Sequence, residues 1–327
     1  MESGGLVKSL AIFLFVCGLI TTAAKAAEPN PLEGRLELGL EYDSNVFTME
    51  DDTAADLSDS RKTLKGRLEG RLPQSSRYRL TPRYDIYGYW YNNQSHYDLL
   101  VQRVSLRLDD DKPPRQPRLQ YTFTYGMFGR NAYEASHRVA GRLTLTQAGE
   151  QRVWLGAHVE LNEAPGSRYE YLSGTELQLA LTGFDTLREK GWLYGGVELH
   201  YKDRGTNNTT FGGAPVMIEY SYVALEPFLF AEKPVTQELT LSGGVRYEYR
   251  SYENSDIWGG ATPGSKRRQD NKFTATISVS RPVWESATLI ASYKGQIRSS
   301  NIGDDPNDYR DRDYTRHIYG IFIKAEF

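Results

Sequence analysis

The sequence predicts an all-β chain, a transmembrane antiparallel up-and-down β-barrel of about 14 strands, with 12 or 16 strands as the alternatives. Three observations lead there. Polar and apolar residues alternate with a period of two, the alternating stretches exceed the length of ordinary soluble strands, and short and long connections take turns. At 327 residues the length alone would allow two domains, but closed all-β barrels of this size fold as one. Aromatics reach 12%, led by 23 Tyr, and the single Cys excludes an internal disulfide. A net charge of -3 gives no bulk signal for nucleic acid. Apart from one N-terminal segment, no window holds the roughly 18 apolar residues of a spanning helix.

That segment opens the chain. Lys8 gives a short charged start, Leu10 to Ile20 is an uncharged apolar run of signal-peptide length, and Ala24-Lys25-Ala26 places small residues where a signal peptidase inspects. Residues 1–26 are therefore expected to be a signal peptide and 27–327 the barrel. Cys17 is a poor lipobox cysteine, because Phe15 and Val16 precede it instead of small residues.

The alternation is plainest at 62–72, where Leu64, Gly66, Leu68, Gly70 and Leu72 share one face while Lys65, Arg67, Glu69 and Arg71 share the other. It recurs around Leu119 to Met127, Val153 to Leu161 and Leu239 to Tyr249. A soluble sandwich would alternate similarly, so strand length and connections decide. Fourteen strands are read near 33–43, 62–72, 77–91, 97–109, 116–127, 136–147, 151–162, 169–182, 191–202, 216–231, 236–251, 269–281, 286–299 and 314–327. The even-to-odd joins are turn-like, as at Pro73 to Ser76 and Gln147 to Glu150. The odd-to-even joins are mostly longer, at 44–61, 128–135, 203–215, 252–268 and 300–313. Trp154, Trp192 and Trp284 fall beside short turns, and Trp90, Tyr91, Tyr125, Tyr201, Tyr249 and Tyr252 near long loops, as two interfacial girdles would.

The two ends of the barrel carry resemblances. Tyr319, Ile321, Ile323, Ala325 and the terminal Phe327 alternate on the lipid phase, with Ile318 and Phe322 on the lumen phase. This series resembles the C-terminal recognition strand of bacterial outer-membrane barrel proteins. It implies an outer-membrane location, with the barrel-assembly machinery, outer-membrane lipid and lipopolysaccharide as partners. At the other end, Leu36 to Phe47, with its Tyr42-Asp43-Ser44-Asn45-Val46-Phe47 core, resembles the first strand and loop of the β-barrel porin group that accompanies exopolysaccharide export. That likeness covers a short stretch and implies polysaccharide or periplasmic export partners.

Function is expected in the lumen. Lys65, Arg67, Arg71, Arg79, Arg83, Arg103, Arg107, Arg118, Arg138 and Arg142 share the inward phase of strands two to six, with Glu69, Asp85 and Asp109 among them. Strands seven to nine bring Glu160, Glu170, Glu176 and Glu198 inward, beside Arg152, His158 and Lys202. Opposed walls of unlike charge would set a transverse field that selects polar solutes. The competing reading is a salt-bridged interior that fills a narrow barrel. The acidic loops 44–60 and 300–313 lack EF-hand spacing, and no Cys/His metal pattern or glycine-rich phosphate loop occurs, so neither metal nor cofactor is expected. His96 follows Ser95, but adjacent side chains on an extended chain point to opposite faces, and no enzymatic activity is expected. The sequence thus points to an outer-membrane pore for polar solutes, anionic or carbohydrate, with a non-conducting structural or docking barrel as the alternative. N-terminal sequencing of the exported protein should begin at or within a residue or two of Ala27, and a retained, lipidated Cys17 would overturn this.

Overall fold

The computed structural model describes residues 32–46, 58–70, 77–110, 115–129, 131–165, 170, 172–187, 190–204, 206–211, 214–253, 257–258, 267–301 and 313–327. The expected signal peptide, Arg71 and most of both acidic loops lie outside the described residues. Fourteen strands close into one barrel: β1 (Leu32–Asp43), β2 (Asp59–Gly70), β3 (Tyr78–Tyr91), β4 (Leu99–Asp110), β5 (Arg118–Phe128), β6 (Asn131–Ala148), β7 (Gln151–Glu163), β8 (Gly174–Leu187), β9 (Gly191–Arg204), β12 (Tyr222–Pro234), β13 (Thr240–Tyr252), β15 (Gln269–Trp284), β16 (Ala287–Ser300) and β17 (Tyr314–Glu326). β10 (Thr206–Phe211), β11 (Ala214–Glu219) and β14 (Ile257–Trp258) form a separate three-stranded sheet.

Burial is inverted relative to a soluble protein. On β1, Leu40 is 66% exposed and Leu38 47%, while Glu37 and Asp43 on the alternate face are 5% and 0% exposed. The same face carries Val139, Leu179, Ile277 and Ile321 outward on other strands. An apolar belt of this extent is stable only where hydrocarbon solvates it, and the period of two then forces every alternate side chain into the lumen. Strands of 11 to 18 residues suit that task, since about 9 to 11 tilted residues cross the apolar core.

Several boundaries depart from the sequence expectation. Residues 131–135 are strand, because β5 and β6 continue to pair past a bulge at Gly126/Met127 as far as Phe128 and Asn131. The strand expected from 216 begins at Tyr222, since 214–219 pair with β10 in the small sheet. The strand expected from 169 begins at Gly174, whose φ of +150° no side chain tolerates easily, and Glu170 lies exposed ahead of it. The girdles are corrected too. Trp154 pairs with Thr144 and Trp192 with Thr186 on the inward face, so both point into the lumen. Tyr91 and Tyr252 are also inward and buried. Trp284 does face outward, at 68% exposure, because a register shift between Pro282 and Trp284 changes its side. Trp90, Tyr125, Tyr201 and Tyr249 keep the outward phase near the loop ends.

Closure occurs between the two ends of the chain. β1 and β17 pair from Arg35 opposite Glu326 to Asp43 opposite Ile318. Gly34 and Phe327 add two backbone hydrogen bonds, 2.7 and 3.0 Å, and the Phe327 ring lies over Gly34, where a Cβ would clash. Phe322 lies likewise over Gly39 and Gly320, with Lys65 Nζ 4.7 Å from its ring centre, which accommodates an apolar side chain on the lumen phase. Deleting Phe327 or replacing it with Asp should therefore lower outer-membrane yield severalfold, whereas Glu326→Gln should not. Equal yields of the folded form on semi-native gels would refute this.

Candidate functional site

Every strand contributes alternate side chains to the lumen, and register decides which charges meet. The expected basic wall is extensively paired. Arg67 and Arg83 both reach Asp85, at 2.9 and 2.6 Å. Arg107 joins Glu69 at 3.1 Å and Asp109 at 2.9 Å, and Arg118 lies 2.5 Å from Asp109 with Arg79 at 3.8 Å. Lys65 meets Glu37 at 2.5 Å, and Arg138 meets Glu160 across β6 and β7. Arg142 instead stacks on the Trp154 ring at 4.8 Å. Arg103, exposed in the lumen, forms no ion pair among the described residues. These partners follow from the ladder, which puts Arg67 opposite Asp85 and Asp109 opposite Arg118.

The most enclosed part of this lattice lies at the closure. Asp43 on β1 is fully buried and accepts from Arg316 of β17 at 2.8 Å, from Arg61 of β2 at 3.2 Å and from the Tyr91 hydroxyl of β3 at 2.7 Å. Arg61 also donates to Glu41 at 2.6 Å and lies over the Tyr89 ring at 4.4 Å. Two arginines, two carboxylates and a phenol thus join four strands. A second such node pairs Asp270 with Arg268 and Arg298, all three buried.

The acidic side gathers around a histidine. Glu176 sits between His158 Nε2 at 3.7 Å, His200 Nδ1 at 3.2 Å and Lys202 at 2.9 Å. His200 Nε2 faces Glu198 at 3.6 Å and Glu226 at 3.3 Å. Glu198, His200 and Glu226 bring three potential metal donors within 4.8 Å of one another. Arg246 Nη1, however, already reaches Glu226 at 2.7 Å and Glu198 at 3.2 Å, so this group balances charge with the cation the chain itself supplies. The sequence separates these histidines by strand, and only the β7, β8 and β9 registers bring them to one carboxylate.

Sequence reasoning passed over two further sets of inward residues. One is the carboxylates of β1, Glu37, Glu41 and Asp43, which neutralise the cations of β2 and β17. The other is aromatic: Trp154 and Phe184 lie 6.5 Å apart between ring centres, Phe184 and Trp192 6.5 Å, and Tyr194 and Phe228 5.3 Å. Phase alone would have placed both sets inward, once the strand boundaries were known. A cavity of about 660 Å³ separates Trp192, Tyr194 and Phe230 from Glu37, Arg61 and Lys65, and so reaches from one wall of the lumen to another. A neighbouring cavity of about 400 Å³ shares Phe230, Thr276 and Lys294 with it.

A closed barrel with an apolar outside and a charged inside leaves one environment in which it is stable. The chain is a β-barrel of the bacterial outer membrane. Its fold is similar to that of the outer membrane channel DcaP of Acinetobacter baumannii, with a TM-score of 0.51 and 10% identity over 90% of this chain and 96% of that one. It is also similar to OmpT, an outer membrane protein of Vibrio cholerae, at a TM-score of 0.49 and 9% identity over 90% and 98% of the chains. The anion-selective porin from Comamonas acidovorans gives 0.48 and 9% over 90% and 98%. No protein-family model matches the barrel, and no curated protein matches it.

The buried closure node gives a stability prediction for this barrel. Asp43→Ala leaves Arg61 and Arg316 together with one carboxylate fewer, and should destabilise the folded barrel by about 3–5 kcal/mol. Arg281→Gln, which breaks an exposed pair with Glu238, should cost less than about 1 kcal/mol. Urea unfolding in detergent measures both, and a small loss for Asp43→Ala would contradict the node's role.

Proposed function

We propose that the barrel is an outer-membrane pore for polar solutes, anionic or carbohydrate in class, consistent with exopolysaccharide export. The single observation that carries this reading is the cavity of about 660 Å³ that separates the charged wall of β1 and β2 from the aromatic wall of β9 and β12. Side chains therefore leave space across the lumen. The likeness of residues 36–47 to the exopolysaccharide-associated porin group supports the carbohydrate half. Arg103, an inward cation with no ion pair among the described residues, supports the anionic half.

The density of ion pairs favours a second reading, a barrel whose interior is filled for stability and does not conduct. Planar-bilayer recording separates the two. The pore reading expects single-channel current with anion preference at 0.1 M salt, weakening at 1 M as the Debye length falls from about 10 Å to about 3 Å. Arg103→Gln, which breaks no ion pair among the described residues and sets no carboxylate opposite Asp85, should move the reversal potential toward cations. Well-folded protein that gives no current would overturn the pore, and current with unchanged selectivity would place the path away from Arg103.

A further inference from the structure

One hydrogen-bonding row of the barrel has a composition that neither stability nor charge pairing explains. Across five successive strands it reads Phe184, Tyr194, Phe230, Gly244 and Thr276, and on the sixth it reaches Lys294. All six are on the inward phase. Three adjacent strands, about 4.8 Å apart, thus each place an aromatic residue in this row, followed by two small residues and a cation.

The ring of Phe230 does not stand out into the lumen. Its Cδ1 and Cε1 atoms lie over Gly244, where a Cβ would collide with them, and the ring borders both cavities. Gly244 and Thr276 leave a shallow floor of about 10 Å, two strand spacings, before Lys294. Lys294 borders both cavities and has no ion pair among the described residues. The other cations there are held: Lys65 by Glu37, Arg61 by Glu41, Arg246 by Glu198 and Glu226, and Lys272 by Glu248 at 3.9 Å. The remaining lining includes Glu232, Ser242, Ser278 and Ser292. Ser242 and Ser278 hydrogen-bond each other and Glu232 accepts from Trp192 Nε1, yet each keeps further hydrogen-bonding capacity, so these groups suit a ligand that carries many hydroxyls better than a purely apolar one, which would only desolvate them.

The geometry points to a binding subsite for an acidic saccharide along this row. The electron-rich ring faces of Tyr194 and Phe230 would meet the C–H face of a sugar, the hydroxyl and carboxylate side chains would bind its hydroxyls, and Lys294 would hold its carboxylate. A small inorganic anion needs neither the rings nor cavities of about 660 and 400 Å³. The inference deepens the proposed pore and rests on solutes entering its lumen.

The test is calorimetric titration of the full barrel in detergent with trigalacturonate and, separately, with neutral maltotriose. Trigalacturonate should bind about tenfold more tightly than maltotriose. Phe230→Leu, which still fills the space over Gly244 but removes the π face, should weaken both by about tenfold. Lys294→Gln should weaken trigalacturonate alone, to the level of maltotriose, with heat-modifiable gel migration confirming that each variant is folded. Absence of binding by the folded wild-type barrel, or binding that neither substitution changes, would overturn the subsite. Current without sugar binding would remove the subsite and leave the pore; sugar binding without current would uphold the subsite and remove the pore.

Discussion

The barrel depends on joining its first strand to its last. A sheet in hydrocarbon cannot leave an edge, because each unpaired backbone group would find no water to replace its partner. β1 and β17 satisfy that requirement with the backbone ladder, with Phe327 seated on Gly34, and with Arg316 reaching across the seam to Asp43. The side-chain contact spans 273 residues of sequence, so it forms only when the ring is complete. The Tyr91 hydroxyl and Arg61 then tie β2 and β3 to the same carboxylate, which makes closure and the adjoining wall one unit.

Turning every alternate residue inward crowds the interior with charge. Several of the inward groups, Asp43, Glu37 and Asp109 among them, are buried, and charges left alone there would oppose folding. The ladder solves this locally, by setting opposite charges on neighbouring strands or two residues apart on one strand, as with Arg83 and Asp85 or Arg107 and Asp109. The result is a lattice in which each wall is largely neutralised from within. Arg103 and Lys294, which form no ion pair among the described residues, therefore contribute more to the transverse field per residue than the paired majority.

Aromatic side chains serve two solvents in this protein. Those on the outward phase, such as Trp90 and Trp284, sit where hydrocarbon gives way to water. Those on the inward phase of β7, β8, β9 and β12 pack against one another and against glycine on adjoining strands. Glycine here is a packing device: Gly244 and Gly39 receive a ring on the lumen side, and Gly34 receives that of Phe327 on the lipid side.

The alternation of Leu64 to Leu72 against Lys65 to Arg71, the long strands and the terminal Phe327 determined fold class from sequence, because a period of two has only one consequence in lipid; the count of fourteen, one of three the sequence allowed, was decided by the closed ladder. Phase also told which charges turn inward. It could not tell which of them meet. Whether Arg67 is free or paired depends on Asp85 of β3 lying opposite it, and a register slip of one residue would exchange the faces altogether. The bulge at Pro282 and Trp284 changes the side of one aromatic, and the hairpin of β10 and β11 moves the start of β12; Pro282 and Gly212-Gly213 mark these places in the sequence, but only the neighbouring strands fix the register that results. The row from Phe184 to Lys294 gathers residues from six strands. Such a row exists only after inter-strand hydrogen bonds fix every register, so the sequence determined the walls and the tertiary structure decided what they present to the lumen.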